Sequence, residues 1–101
     1  MYAMTGKLTA QPGKGAQLAE ILLRASKMVG NMPGCRAYIV LEDVKDKDDV
    51  WVFEMWDDKE SHDASLRVEQ VRALINEAMP LLAGAPDGAE LNVLGGYGIS
   101  E

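Results

Sequence analysis

His62 is the one histidine of the chain, and imidazole is the side chain best matched to proton exchange near neutral pH. A short way upstream, Glu54 and Trp56 stand at i and i+2 in the run Val50-Trp51-Val52-Phe53-Glu54-Met55-Trp56. A strand places Val50, Val52, Glu54 and Trp56 on one face, so an indole, a carboxylate and small β-branched residues can line one pocket. Glu54 is there to orient a ligand or accept its proton, and Trp56 to wall the pocket. Tyr38, on a face with Arg36 and Val40, adds a phenol for hydrogen bonding or electron transfer. Each of the four has a plainer reading beside the chemical one. A lone histidine packs a helix against a sheet or lies at the surface, and a strand tryptophan fills core. A strand glutamate meets a cation or water, and a tyrosine packs across strands.

Other chemistries lack their residues. Cys35 is the one cysteine, so no intrachain disulfide forms, and one thiol with one imidazole does not make a tetrahedral zinc site. No metal site is expected, and a reducing cytoplasm is the default compartment. Pro12-Gly13-Lys14-Gly15 lacks the spacing of a phosphate loop, and Gly95-Gly96-Tyr97-Gly98 opens no helix. The string His62-Asp63-Ala64-Ser65 lies on one helical turn and cannot bring nucleophile, base and orienter into line. Lys and Arg total 10 against 16 for Asp and Glu, a net charge of −6, the wrong sign for nucleic acid or an anionic membrane.

The elements that position these residues follow from periodicity. Residues 2–10 alternate as a strand, with Tyr2, Met4, Gly6, Leu8 and Ala10 on one face. After the Pro12–Gly15 punctuation, Leu18, Ile21, Leu22, Ala25, Met28, Val29 and Met32 form a helical stripe that Gly30 and Pro33-Gly34 end. Residues 35–42 and 50–56 are strand-like around a charged connection and predict a hairpin. Asp57-Asp58-Lys59-Glu60 reads as a capping box with Asp57 as the cap, opening a helix whose stripe runs from Leu66 to Leu82 and which Ser65 can break in two. Residues 89–94 form a last strand before the glycine-rich tail.

The chain is 101 residues long, 48% hydrophobic and 26% charged, which gives one soluble globular domain over 1–101. The order β-α-β-β-α-β predicts an α+β, ferredoxin-like fold with a four-stranded antiparallel sheet and its helices on one face. Trp51, Phe53 and Met55 then occupy the opposite face, an apolar surface that monomers rarely expose. A second sheet is expected to cover it in a face-to-face homodimer, a dimeric α/β barrel.

From Val52 to Leu66 the sequence Val-Phe-Glu-Met-Trp-Asp-Asp-Lys-Glu-Ser-His-Asp-Ala-Ser-Leu resembles the antibiotic biosynthesis monooxygenase domain, including its quinol-monooxygenase-like members. The likeness extends over the chain, through the Pro-Gly-Lys turn into the first helix, Pro33-Gly34-Cys35 before the second strand, and Met79-Pro80-Leu81-Leu82 ending the last helix. The resemblance implies oxygenation of a small quinol or polycyclic phenol by dioxygen, without metal or flavin, in a pocket between sheet and helices of each protomer of a homodimer. Carried over by position, Trp56 faces the pocket, Glu54 is its partner on the strand, and His62 is the base. Many members have a histidine where this chain has Ser65 and another near Gln70, so His62 acts without them. Gly6 and Ile75 stand where haem-degrading relatives carry an asparagine and a histidine, which disfavours haem. The rival reading is a non-catalytic dimeric module that binds an aromatic metabolite.

Overall fold

The computed structural model describes residues 1–99. Strand β1 (Tyr2–Thr9) leads to helix α1 (Gly15–Val29), the hairpin β2 (Cys35–Glu42) and β3 (Asp49–Trp56), helices α2 (Lys59–Ser65) and α3 (Glu69–Ala78), a 3-10 turn Met79–Leu81 and strand β4 (Asp87–Asn92). The strands form one antiparallel sheet in the order β2-β3-β1-β4. This is the expected ferredoxin-like α+β arrangement, with the second helix in two pieces. Among the described residues no helix is long and apolar enough to cross a membrane.

The helices pack on the face that carries Val50, Val52 and Trp56. Leu18, Ile21, Ala25 and Val29 of α1 and Val71, Leu74 and Ala78 of α3 are the buried positions of two amphipathic stripes. They close two adjoining apolar cores, one around Leu18 and Val50 and one around Trp56. An exposed ion pair, Arg24–Glu77 at 2.6 Å, joins the outer sides of α1 and α3.

Helix α1 opens without a capping side chain of its own, because Lys14 stands at the cap position. Asp48, from the β2–β3 connection, supplies the missing acceptors: its carboxylate takes the backbone N–H groups of Gly13 at 3.0 Å and Gly15 at 2.9 Å. The approach is close enough that a β-carbon on Gly15 would collide with the Lys47 carbonyl.

Three local details differ from the sequence reading. The cap of α2 is Asp58, extended at φ −155°, whose side chain accepts from the Ser61 amide at 2.8 Å. Asp57 is still drawn towards β2: its amide donates to the Gly34 carbonyl at 2.8 Å and its carboxylate accepts from Arg36. Arg36 reaches it because the register of β2 shifts between Cys35 and Ala37, which takes Arg36 out of the face that Tyr38 and Val40 share. Strand β4 spans 87–92 rather than 89–94, since its partner β1 offers Tyr2 opposite Asn92 and Lys7 opposite Asp87.

The opposite sheet face is open along Trp51 and Phe53, whereas Met55, expected on the same open surface, is buried at 8% exposure beside Ala3 at 2%. Thr5, Ile39, Leu41, Trp51 and Phe53 line a shallow groove of about 610 Å³ there. Ile39 and Leu41 are 48% and 44% exposed, and the Lys7 ammonium lies 5.9 Å from the Trp51 ring centre.

Candidate functional site

Between the sheet and helices α1 and α3 lies a cavity of about 250 Å³ whose lining is almost wholly apolar: Leu8 from β1, Ile21, Leu22, Ala25 and Val29 from α1, and Val71, Leu74, Ile75 and Ala78 from α3. Tyr38, Glu54 and Ser65 bring the polar side chains. An adjoining hollow of about 320 Å³ shares Leu8, Leu22, Tyr38, Glu54 and Pro86 with it and continues past Met4, Gly6 and Gly88. Glu54 is thus common to both spaces, and it is the one charged residue of the first.

Strand register explains the grouping. Glu54 lies directly across from Met4 on β1 and from Tyr38 on β2, so the carboxylate and the phenol project from neighbouring positions of one sheet face. Gly6 on that same face carries no side chain, which leaves room where a larger residue would fill the hollow. The Glu54 side chain is 13% exposed. Burial pushes its carboxyl above the usual carboxylate range, while the Trp56 indole hydrogen bond and nearby His62 pull it back. Burial, then the neighbouring Glu54 charge, pushes the Tyr38 phenol well above its ordinary value.

Trp56 is fully buried, and its indole Nε1 donates to Glu54 Oε1 at 3.1 Å. His62, on α2, is buried at 7% exposure. Its ring lies between Tyr2, centres 5.4 Å apart, and Trp56, 5.9 Å away and nearly perpendicular. Its Nε2 is 4.0 Å from Glu54 Oε1, and its Nδ1 is 3.0 Å from Asp63 Oδ1. The four residues singled out in the sequence are therefore neighbours, but in two layers. Glu54 and Tyr38 line the cavity, whereas Trp56 and His62 stand behind Glu54 and reach the cavity through it.

Several contributors escaped the sequence reading. Ser65 appeared there as a helix breaker; it is buried, lines the cavity and donates its hydroxyl to the His62 carbonyl at 2.6 Å. A polar residue one helical turn after the histidine was the available signal. Leu66, Ile75 and Met79 line the cavity while remaining 45%, 42% and 59% exposed, so they stand at its rim. At the outer edge, the Tyr2 hydroxyl donates to Glu90 at 3.0 Å, and Lys59 pairs with Glu90 at 3.0 Å and Asp63 at 3.4 Å. The His62 hydrogen bond, and then Lys59, hold the Asp63 carboxyl below its usual range. Among the described residues no three of His, Cys, Asp and Glu gather as a metal site.

The sequence profile of the antibiotic biosynthesis monooxygenases matches residues 1–77. A crystal structure from Chloroflexus aurantiacus, provisionally assigned to the same group, is 39% identical with a TM-score of 0.87 and covers 98% of both chains. A Nitrosomonas europaea structure of the same provisional assignment shares the fold at a TM-score of 0.88 and 14% identity, covering 93% of this chain and 99% of its own. So does a variant of SnoaB, a cofactor-independent oxygenase from Streptomyces nogalater, at a TM-score of 0.82 and 11% identity over 96% of both chains. Among curated protein sequences none matches significantly.

Proposed function

The chain belongs to the antibiotic biosynthesis monooxygenase family, and from that premise we propose that it oxygenates a small quinol or polycyclic phenol with dioxygen, using no metal or flavin. The observation that carries this reading is the placement of Glu54, the one carboxylate on the wall of a largely apolar cavity. A buried carboxylate whose affinity for a proton is raised is a general base suited to a phenol, and the apolar walls favour an aromatic ring. SnoaB, of the same fold, is named a cofactor-independent oxygenase, which agrees with such chemistry.

In this mechanism Glu54 takes the phenolic proton and Tyr38 donates a hydrogen bond to the oxygen that carries developing charge. The phenolate passes one electron to dioxygen, and the resulting radical pair combines at a ring carbon as a peroxide. The proton that Glu54 removed is delivered from Glu54 to the outer peroxide oxygen. Loss of the ring C–H proton then forms the new carbonyl as the O–O bond breaks, and the departing hydroxide takes up that proton as water. One oxygen atom enters the ring and the other leaves as water. The protein contributes position and exclusion of solvent.

The test is oxygen uptake by metal-stripped protein over a panel of hydroquinones, naphthols and anthrones. Uptake well above buffer, with one atom of labelled dioxygen in the product, is expected. Tight binding of a panel member without uptake would instead identify a binding module.

The proposal includes a homodimer closed through the open sheet face, since the groove of Ile39, Leu41, Trp51 and Phe53 is the kind of surface a second sheet covers. Light scattering should report about 22 kDa, twice the chain's 11.0 kDa. Phe53→Asp, which puts a charge in that face, should return the particle to the size of one chain; a single-chain particle for the unaltered protein would rule the dimer out. The cytoplasm is the compartment that accords with Cys35, an unpaired thiol.

A further inference from the structure

His62 has an acidic group on each side of its ring. From β3, Glu54 Oε1 faces Nε2 at 4.0 Å; from α2, Asp63 Oδ1 meets Nδ1 at 3.0 Å. Tyr2 of β1 packs on the ring, with its own hydroxyl committed to Glu90 of β4, and Lys59 pairs with both Asp63 and Glu90 at the edge. An ionised carboxylate only accepts hydrogen bonds. Asp63, held ionised by its His62 hydrogen bond and Lys59, therefore requires a hydrogen on Nδ1. In the neutral ring that leaves the Nε2 lone pair turned towards Glu54.

We infer that Asp63 is a positioning residue of this site: it fixes His62 as the Nδ1–H tautomer, so that Nε2 is free to take over the proton Glu54 removes from a ligand. The inference rests on the oxygenase reading for its chemical purpose, and on the geometry alone for the tautomer. Glu54 Oε1 is engaged by the Trp56 indole and faces the imidazole, which leaves Oε2 for the ligand. The gap of 4.0 Å is longer than a hydrogen bond, and contacts of this kind tighten when a ligand arrives. Once protonated, the imidazolium lies between the Glu54 and Asp63 carboxylates. It holds the proton while oxygen is activated and returns it through Glu54 to the outer peroxide oxygen. His62 thus acts through Glu54, and Asp63 acts through His62.

A chain with one histidine allows a direct test. Uniform ¹⁵N labelling of histidine gives one pair of ring nitrogen signals, free of overlap. In the neutral form of the unaltered protein, Nδ1 should carry the hydrogen, although free imidazole side chains in water prefer it on Nε2. Asp63→Ala, a change at a half-exposed surface position, removes the acceptor; the Nε2–H form should then dominate, and kcat should fall at least tenfold with little change in KM. An Nε2–H ring in the unaltered protein, or an Nδ1–H ring that persists in the Ala variant, would overturn the inference. The nitrogen signals are read without substrate. An inert protein with an Asp63-dependent Nδ1–H ring therefore removes the oxygenase reading and leaves the positioning role standing. An active protein with an Nε2–H ring does the reverse.

Discussion

Glu54→Gln is expected to abolish oxygen uptake while making the protein more stable at neutral pH. Removal of a general base lowers turnover by about 10²–10⁴-fold, and the amide cannot take a phenolic proton. The gain in stability follows from the direction of the carboxyl's shift. Burial raises it in the folded chain above its ordinary value of 4.5, so between those two points the folded state binds more protons than the unfolded state. Stability therefore falls as pH rises through that window, and above it the folded protein bears the full penalty of a desolvated charge. Gln carries no charge and keeps a carbonyl oxygen to accept from the Trp56 indole. The variant's Tm should exceed that of the unaltered protein at pH 7, and the difference should vanish on acidification below the ordinary carboxylate value. The same shift predicts that activity is lost on acidification at a higher pH than an exposed glutamate would give. A Gln variant that keeps its turnover, or that melts lower at pH 7, would contradict the assignment. The site then holds a charge that the fold would be more stable without, which is a common signature of functional groups.

Trp56→Ala should produce the largest loss of stability of any single change near the site. The indole is 0% exposed and packs with Tyr2, Val29 and Val71. Truncation of a buried aromatic to Ala costs about 3–5 kcal/mol, a large share of the roughly 5–15 kcal/mol that holds a small domain together. It also takes from Glu54 the N–H donor that partly offsets burial. Urea denaturation reads the loss through a lower midpoint, and a loss below about 1 kcal/mol would show that the cavity had collapsed without harm. Trp56→Phe separates the two contributions: most of the volume remains, the donor is gone, and the carboxyl of Glu54 should move further up.

Much of this arrangement was legible in the sequence because strand alternation is a strict code. Once Val50–Trp56 was read as a strand, Glu54 and Trp56 had to share a face, and Trp51 and Phe53 had to point the other way. The helical stripes with their glycine and proline punctuation fixed the element order, and Ser65 marked the break between α2 and α3. The misses are of a different kind. Whether Asp57 or Asp58 caps α2 depends on how far β2 holds the chain extended, which the Gly34 carbonyl and Arg36 decide from another strand. The Arg36 bulge and the bounds of β4 are properties of paired strands and have no single-strand signature. The depth of the site was equally hidden: a lone histidine early in a helix packs inward or lies at the surface with equal ease, and only packing shows that Glu54 stands between it and the cavity.

The aspartate that bridges the hairpin connection to the start of α1 has a consequence for how the chain assembles. The first turn of α1 finds its cap in Asp48, a residue that arrives only after the helix itself and all of β2 have been laid down in sequence. The N-terminus of α1 is thus not a locally specified structure, and its last unsatisfied amides are met only when the hairpin docks. Helix and hairpin should therefore form and melt as one cooperative unit, with the helix's first turn ordered late along the route to the native state.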